Sequence, residues 1–213
     1  MNLIASNIAK NLLQIKAIEL SPQKPFTWAS GMLSPIYCDN RITLSYPAVR
    51  QSIIDGMVER SKDFDDFDLI AGVATAGIPH GALLAHALAK PFCYVRSKAK
   101  AHGRQNLIEG LVNGGEKVLV VEDLISTGGS SIFAVDALRA EGCLVQGVLA
   151  IFTYGFAKAT TTFEAANCKF KTLTDYDTLL TEAINSNYIE PQQLDLLKEW
   201  RQHPQEWSPV TSG

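Results

Sequence analysis

Little in this chain suggests a membrane protein, a disulfide scaffold or a zinc protein. No apolar run in its 213 residues approaches the roughly 18 that a membrane-spanning helix needs. The four cysteines, Cys38, Cys93, Cys143 and Cys168, are scattered, and no pair has metal-ligand or redox spacing. Scattered thiols are ordinarily small buried hydrophobes, so the expectation is a reducing, cytoplasmic setting without structural zinc. An excess of one charge is also missing. The formal net charge of −3 gives no global attraction to nucleic acid or anionic lipid. The opening "MNLIASNIAKNLLQIKAIEL" lacks the basic start, continuous apolar block and cleavage site of a secretory signal. Its Leu3, Ile4, Ile8, Leu12, Ile15 and Ile18 fit a helical stripe instead. Internal repeats and low-complexity linkers are absent as well.

What is present is an ordinary globular balance, 46% apolar and 19% charged, in a chain long enough for one domain with a sizeable core. "SPQKPFTWASGMLSPIYCDNR", dense in Pro, Gly and aromatics, reads as loops and short strands, with Phe26 as a core aromatic. "YPAVRQSIIDGMVERSKD" reads as a helix. An alternation follows: strand "FDLIAGVA", helix "IPHGALLAHALA", strand "FCYVR", strand "KVLVVED", helix "SSIFAVDALRAEG", strand "VQGVLAIFTY". Apolar strands separated by helices predict an α/β fold with a central parallel sheet and helices on both faces. The tail "YDTLLTEAINSNYIEPQQLDLLKEWRQHP" reads as two further helices. Between Arg96 and Val118 lie 21 residues without strong helical or strand period, an uncommonly long connection that is usually functional.

The strand "VLVVED" runs into "LISTGGS" and then a helix. Ligands of open parallel sheets bind at the carboxyl ends of strands. Helix N-termini offer free N–H groups and partial positive charge to a phosphate. Gly128 and Gly129 admit close backbone approach, and Ser126, Thr127 and Ser130 add hydroxyl donors. Glu122 and Asp123 need a different ligand group. Ribose hydroxyls, a developing cation and Mg²⁺ remain open on spacing alone, as does a plain N-capped helix. A P-loop lysine and the three spaced glycines of a dinucleotide site are both missing. In the long loop, "YVRSKAKAHGRQNLIEG" puts Arg96, Lys98, Lys100, His102 and Arg104 at every second position. An extended segment would present them on one face, as a cationic comb suited to a polyanion, with a merely solvated loop and an RNA contact as the other readings of the same charges. "AGVATAGIP" is small-residue loop chemistry at another strand end.

Together these residues resemble type I phosphoribosyltransferases, whose motif for phosphoribosyl pyrophosphate (PRPP) is a strand, two acids, a short "LISTGGS"-like loop and a helix. The resemblance implies that Glu122 and Asp123 hold the ribose hydroxyls. Residues Leu124, Ile125, Ser126, Thr127, Gly128, Gly129 and Ser130 complete the PRPP motif. Ala74, Thr75 and Ala76 resemble the pyrophosphate loop. "RSKAKAHG" is similar to the catalytic lid of orotate phosphoribosyltransferases, which implies pyrophosphate contacts from Arg96, Lys100 and His102, with Lys98 a weaker candidate, and catalytic roles for Lys100, His102 and Asp123. The segment "PFTWASGMLSPIYCDNR" resembles that family's flap, with Tyr37 over the base and Ser126 bonded to orotate. Ala29, Ala76 and Tyr154 stand where some members carry lysines and an arginine, and Ser97 where many have a basic residue. Arg41 is a further candidate for the orotate carboxylate. The implied protein is a single domain, 1–213, with a helix and base-binding flap over 1–45, an α/β core over 46–175 with a mobile lid at 97–117, and C-terminal helices over 176–213. The implied activity is transfer from PRPP to orotate, with Mg²⁺ bound mainly through PRPP, in a homodimer that shares its lids. Purine or xanthine phosphoribosyl transfer and a PRPP-sensing nucleic-acid-binding regulator are the alternatives.

Overall fold

The computed structural model describes residues 3–28, 31–98 and 107–208. In chain order the elements are α1 (Leu3–Gln14), β1 (Ile18–Leu20), β2 (Phe26–Thr27), β3 (Leu33–Ser34), β4 (Ile36–Cys38), a 3-10 turn (Asn40–Ser45) and α2 (Pro47–Ser61). Then come β5 (Leu69–Val73), α3 (Gly77–Ala87), β6 (Phe92–Val95), β7 (Ile108–Glu109), β8 (Lys117–Ile125), α4 (Gly129–Ala140) and β9 (Leu144–Thr153). The chain closes with α5 (Ala157–Ala165), β10 (Phe170–Asp175), α6 (Tyr176–Asn185) and α7 (Leu194–Gln202). These elements form two compact units, residues 1–49 with 174–213, and residues 50–173.

In the first unit, α1 buries Ala5, Ile8, Ala9, Leu12 and Leu13. Leu3 is 83% exposed, and Ile18 belongs to β1, so the apolar stripe is shorter than the sequence predicts. The helix closes because Lys16 takes a positive φ of 57° and the Ala17 N–H reaches back to the Leu12 carbonyl (2.9 Å). The buried Glu182 carboxylate of α6 accepts from Ser6 Oγ and forms an ion pair with Lys10 Nζ (3.3 Å), which ties α1 to α6 through a buried acid with a cationic partner. β1 pairs antiparallel with β4, and β2 with β3. Trp28 packs edge-on to Trp200 (5.8 Å between ring centroids). Phe26 is only half-buried, contrary to its reading as a core aromatic, and its ring lies 5.6 Å from that of Tyr37.

The second unit is built on a six-stranded sheet in the order β10-β9-β8-β5-β6-β7. The pairs β5–β6, β5–β8 and β8–β9 are parallel, as expected for near-continuous apolar strands. Leu69, Ala71 and Val73 of β5 share a buried cluster with Val118 and Val120 of β8 and with Ala134, Val135, Leu138, Ala159 and Phe163 of α4 and α5. Gly72 points the other way, where a Cβ would stand 2.9 Å from the Ile78 Cα of α3. Helices therefore cover both faces. The chain leaves β5 toward β6 on one side and resumes at β8 on the other, so the direction of strand order reverses between β5 and β8. Crevices at such reversals hold ligands beyond the strands' carboxyl ends.

Two details depart from the sequence reading. β7 is a short antiparallel strand within the stretch expected to lack period, with Val95 opposite Ile108 and Tyr94 opposite Glu109. Two residues are too few for a period-two pattern to register. α5 and β10 also occupy residues to which no element was assigned.

Candidate active site

β8 is an interior strand, and Val118 to Val121 are fully buried. Side chains alternate along it, so Glu122 faces α4 with Val118 and Val120, while Asp123 faces the α3 side. Ser130 Oγ donates to Glu122 Oε2 (3.0 Å), and the Asp123 backbone N–H donates to Glu122 Oε1 (3.0 Å). Glu122 is 4% exposed. Burial above all, then the charge of Asp123 and a side-chain hydrogen bond with it, pushes the Glu122 carboxyl well above the usual glutamate range. The acidic pair therefore retains a proton at neutral pH.

Beyond Ile125, whose carbonyl accepts from Thr153 Oγ1 (2.9 Å), the chain turns through Ser126 and the exposed Thr127. Gly128 caps α4 in the left-handed region (φ +85°), and a Cβ there would stand 2.9 Å from the Phe163 ring. Both the backbone angle and the ring demand glycine. At Gly129 a Cβ would meet nothing within 4 Å, so the space over the first turn of α4 is open. The first N–H groups of a helix have no acceptor within the helix itself, and the start of α4 adjoins that space.

The neighbouring wall is the turn from β5 to α3. The Ala74 N–H donates to Val95 O (2.9 Å), the Ala74–Thr75 peptide is cis, and Ala76 caps α3 without a side-chain hydrogen bond. A Cβ on Gly77 would lie 2.5 Å from the Val121 carbonyl oxygen and 3.2 Å from the Glu122 Cα. The N-terminus of α3 thus abuts β8 beside the acidic pair. Arg96 follows β6; its N–H donates to Leu107 O (2.8 Å) and its Nη1 lies 3.5 Å from Glu109 Oε1. A cavity of about 160 Å³ is lined by Ala74, Arg96, Ser97, Ser130 and Phe133, among others. Three separate sequence signals meet there: the strand-end loop, the start of the basic comb and the acid-and-glycine turn.

Other expected residues fall elsewhere. Lys100, His102, Arg104 and Ala29 lie outside the described residues. Lys98 is exposed, whereas Ser97, also exposed, lines the cavity just described. Tyr37, on β4 of the first unit, is 42% exposed. Arg41 grips Asp39 with two hydrogen bonds (2.6 and 2.8 Å), which hold the Asp39 carboxyl below the usual range. Tyr154 is buried, stacked on Phe156 and edge-on to Phe152. Sequence reasoning missed Phe133, Glu109 and Thr153. Phe133 was legible as a large aromatic entering the second turn of the motif helix, whereas Glu109 and Thr153 gain meaning only from strand pairing. Among the described residues, no group of three His, Cys, Asp or Glu side chains is placed to hold a metal ion. No helix among them is long and apolar enough to cross a membrane.

Residues 44–178 match the family described as "Phosphoribosyl transferase domain", in keeping with this sheet and the two turns at the ends of β5 and β8. The chain is 59% identical over 200 residues to "Orotate phosphoribosyltransferase" of Bacillus pumilus, covering 93% of this chain and 94% of that one. It is 54% identical over 199 residues to the protein of the same name from Bacillus subtilis, covering 93% and 92%. A crystal structure of orotate phosphoribosyltransferase from Aeropyrum pernix superposes with a TM-score of 0.75 at 28% identity, covering 86% of this chain and 99% of that one. The chain belongs to the orotate phosphoribosyltransferase family.

Proposed function

We propose that the crevice between β5 and β8 binds PRPP and that the chain uses it for the family reaction in pyrimidine biosynthesis. Orotate is converted to orotidine 5′-phosphate, with release of pyrophosphate. The observation that carries this reading is the Glu122–Asp123 pair at the end of β8, set beside the open N-terminus of α4. A cradle of N–H groups and hydroxyls at Ser126, Thr127, Gly128, Gly129 and Ser130 suits the 5-phosphate. The two carboxyl groups suit the ribose hydroxyls, which donate to carboxylate oxygens. The loop Ala74, Thr75 and Ala76, with Arg96, suits the pyrophosphate through the backbone N–H groups of Thr75 and Ala76, since the Ala74 N–H is given to Val95 O.

The reaction needs no protein nucleophile. A ring nitrogen of orotate attacks the anomeric carbon while the bond to the pyrophosphate oxygen breaks. Positioning and charge stabilisation supply the rate. Lys100 and His102 would meet the charge that develops on the leaving group. A Mg²⁺ ion fits a site whose ligand is itself a polyanion. It would take its oxygens chiefly from PRPP, and when bound it neutralises the leaving pyrophosphate. Tyr37 offers an aromatic face for the pyrimidine, and the Ser126 hydroxyl a hydrogen bond to it. The whole of 1–213 acts as one catalytic domain, in a homodimer whose lids reach the partner's site.

Two variants test the roles. Lys100→Ala should lower the single-turnover rate by far more than it lowers PRPP affinity, and an unchanged single-turnover rate would remove Lys100 from the chemistry. Asp123→Asn should cost on the order of tenfold or more in kcat/KM for PRPP, the usual scale for losing a charge-assisted hydrogen bond. Wild-type kinetics in that variant would sink the ribose assignment.

A further inference from the structure

Glu109 has no part in the mechanism above, yet its place is tightly fixed. It pairs with Tyr94 across the antiparallel β6–β7 edge. The Arg96 N–H donates to Leu107 O in the same ladder (2.8 Å), so Arg96 and Glu109 stand as diagonal neighbours on one face. The next residue, Gly110, has φ +112°, and a Cβ there would lie 2.9 Å from the Cys93 Cβ and 3.1 Å from its Cα. Only glycine lets the chain pass there, and the crossing pins Glu109 beside Arg96. Both side chains are partly shielded, 32% exposed for Arg96 and 28% for Glu109. Arg96 also lines the cavity bounded by Ala74 and Ser130.

We propose that Glu109 is a built-in competitor of pyrophosphate for Arg96, and that it speeds departure of that product. This rests on the reading of Arg96 as a pyrophosphate contact. A carboxylate here has two opposed effects. It helps to orient the guanidinium, with Arg96 Nη1 at 3.5 Å, the outer limit of a hydrogen bond. Partly exposed pairs of that kind contribute little. It also sets a full negative charge near a multiply charged anion, and each charge on that anion feels it. The repulsion prevails, so the carboxylate lowers pyrophosphate affinity in exchange for turnover.

The test is Glu109→Gln, which keeps shape and removes charge. Inorganic pyrophosphate is the probe, through its inhibition constant as product and by calorimetry with Mg²⁺ at low and high salt. The variant should bind pyrophosphate on the order of threefold to tenfold more tightly, with the gap narrowing as salt rises. Thermal unfolding should stay at the wild-type value, and Glu109→Asp should restore wild-type affinity, which a purely steric role would not require. Unchanged or weaker pyrophosphate binding in a normally folded Glu109→Gln protein overturns the proposal. Arg96→Ala separates the two levels. If it leaves pyrophosphate affinity intact, the pyrophosphate reading of Arg96 falls and the proposal with it. If it weakens binding while Glu109→Gln does not strengthen it, the proposal falls alone.

Discussion

Ser130 Oγ donates to Glu122 Oε2 at 3.0 Å, so the first turn of α4 is fastened to the buried acid at the end of β8. Two residues expected to hold different parts of one ligand are also partners of each other. The Glu122 carboxyl has hydrogen-bond donors on both oxygens, and the cost of burying it is met by keeping a proton rather than by an opposite charge.

That arrangement makes stability depend on pH in a defined direction. The folded chain keeps a proton that the unfolded chain releases once the pH passes the ordinary glutamate value of 4.5. The unfolded state then binds fewer protons, so stability falls as pH rises from there toward the elevated folded-state value. Glu122→Gln removes this slope. The variant should unfold at a higher temperature than wild type at neutral and mildly alkaline pH, while its PRPP affinity drops by on the order of tenfold. Melting temperatures across pH, with calorimetric PRPP titrations, check both halves. Parallel melting curves for the two proteins would contradict the retained proton.

His80 gives a slope of the opposite sign. It is fully buried in α3, and neither ring nitrogen has a hydrogen-bond partner among the described residues. Burial lowers its pKa from 6.5 to about 4. Between those values the unfolded chain is protonated and the folded one is not. Stability is therefore lost as pH falls through that window, by up to about 3 kcal/mol from this residue. His80→Leu should flatten the acid limb of the melting curve, and an acid limb as steep as wild type would count against it.

Gly128 and Gly129, adjacent in the same turn, should respond differently to alanine. Gly128→Ala forces a left-handed backbone on a residue with a Cβ and drives that atom into the Phe163 ring at 2.9 Å. It should lose about 1–3 kcal/mol of stability as well as PRPP binding. Gly129→Ala meets nothing within 4 Å. It should fold normally, yet bind PRPP more weakly if the open space belongs to the phosphate. Chemical denaturation beside ligand titration separates the two. Normal PRPP affinity in Gly129→Ala would move the phosphate away from α4.

Tyr37 tests the base. Its ring is exposed, with Phe26 at 5.6 Å as its aromatic neighbour. Tyr37→Ala should raise the KM for orotate by roughly tenfold, the scale of one lost stacking contact, with little change in the KM for PRPP. Equal changes in both constants would place Tyr37 outside the base site.

The central sheet was legible because its strands are unbroken apolar runs. "VLVV", "LIAGV" and "VLAIFT" have no other place to go than a sheet covered on both faces. The acid-and-glycine turn stood out because two acids run straight into hydroxyls and glycines at a strand end, while the resemblance to phosphoribosyltransferases, not the residue types alone, implied a ribose and a phosphate. Other features carry no local mark. Ile18 continues a helical stripe on paper, but the helix closes at Lys16 without the glycine that usually announces such a stop. α5 was hidden by its threonines, and only Ala159 and Phe163 of that helix are buried. The Ser130–Glu122 bond links a strand to the helix beyond its turn, and Arg96–Glu109 needs a strand register. Neither relationship exists before the chain has folded.

The most direct measurement is orotate consumption followed by absorbance, with PRPP and Mg²⁺, and with uracil, hypoxanthine and xanthine tested in parallel. Turnover of orotate alone, with stoichiometric pyrophosphate, is the predicted result. Turnover of a purine in its place would overturn the base assignment while leaving the PRPP crevice standing. PRPP binding with no turnover of any base would contradict the catalytic account itself.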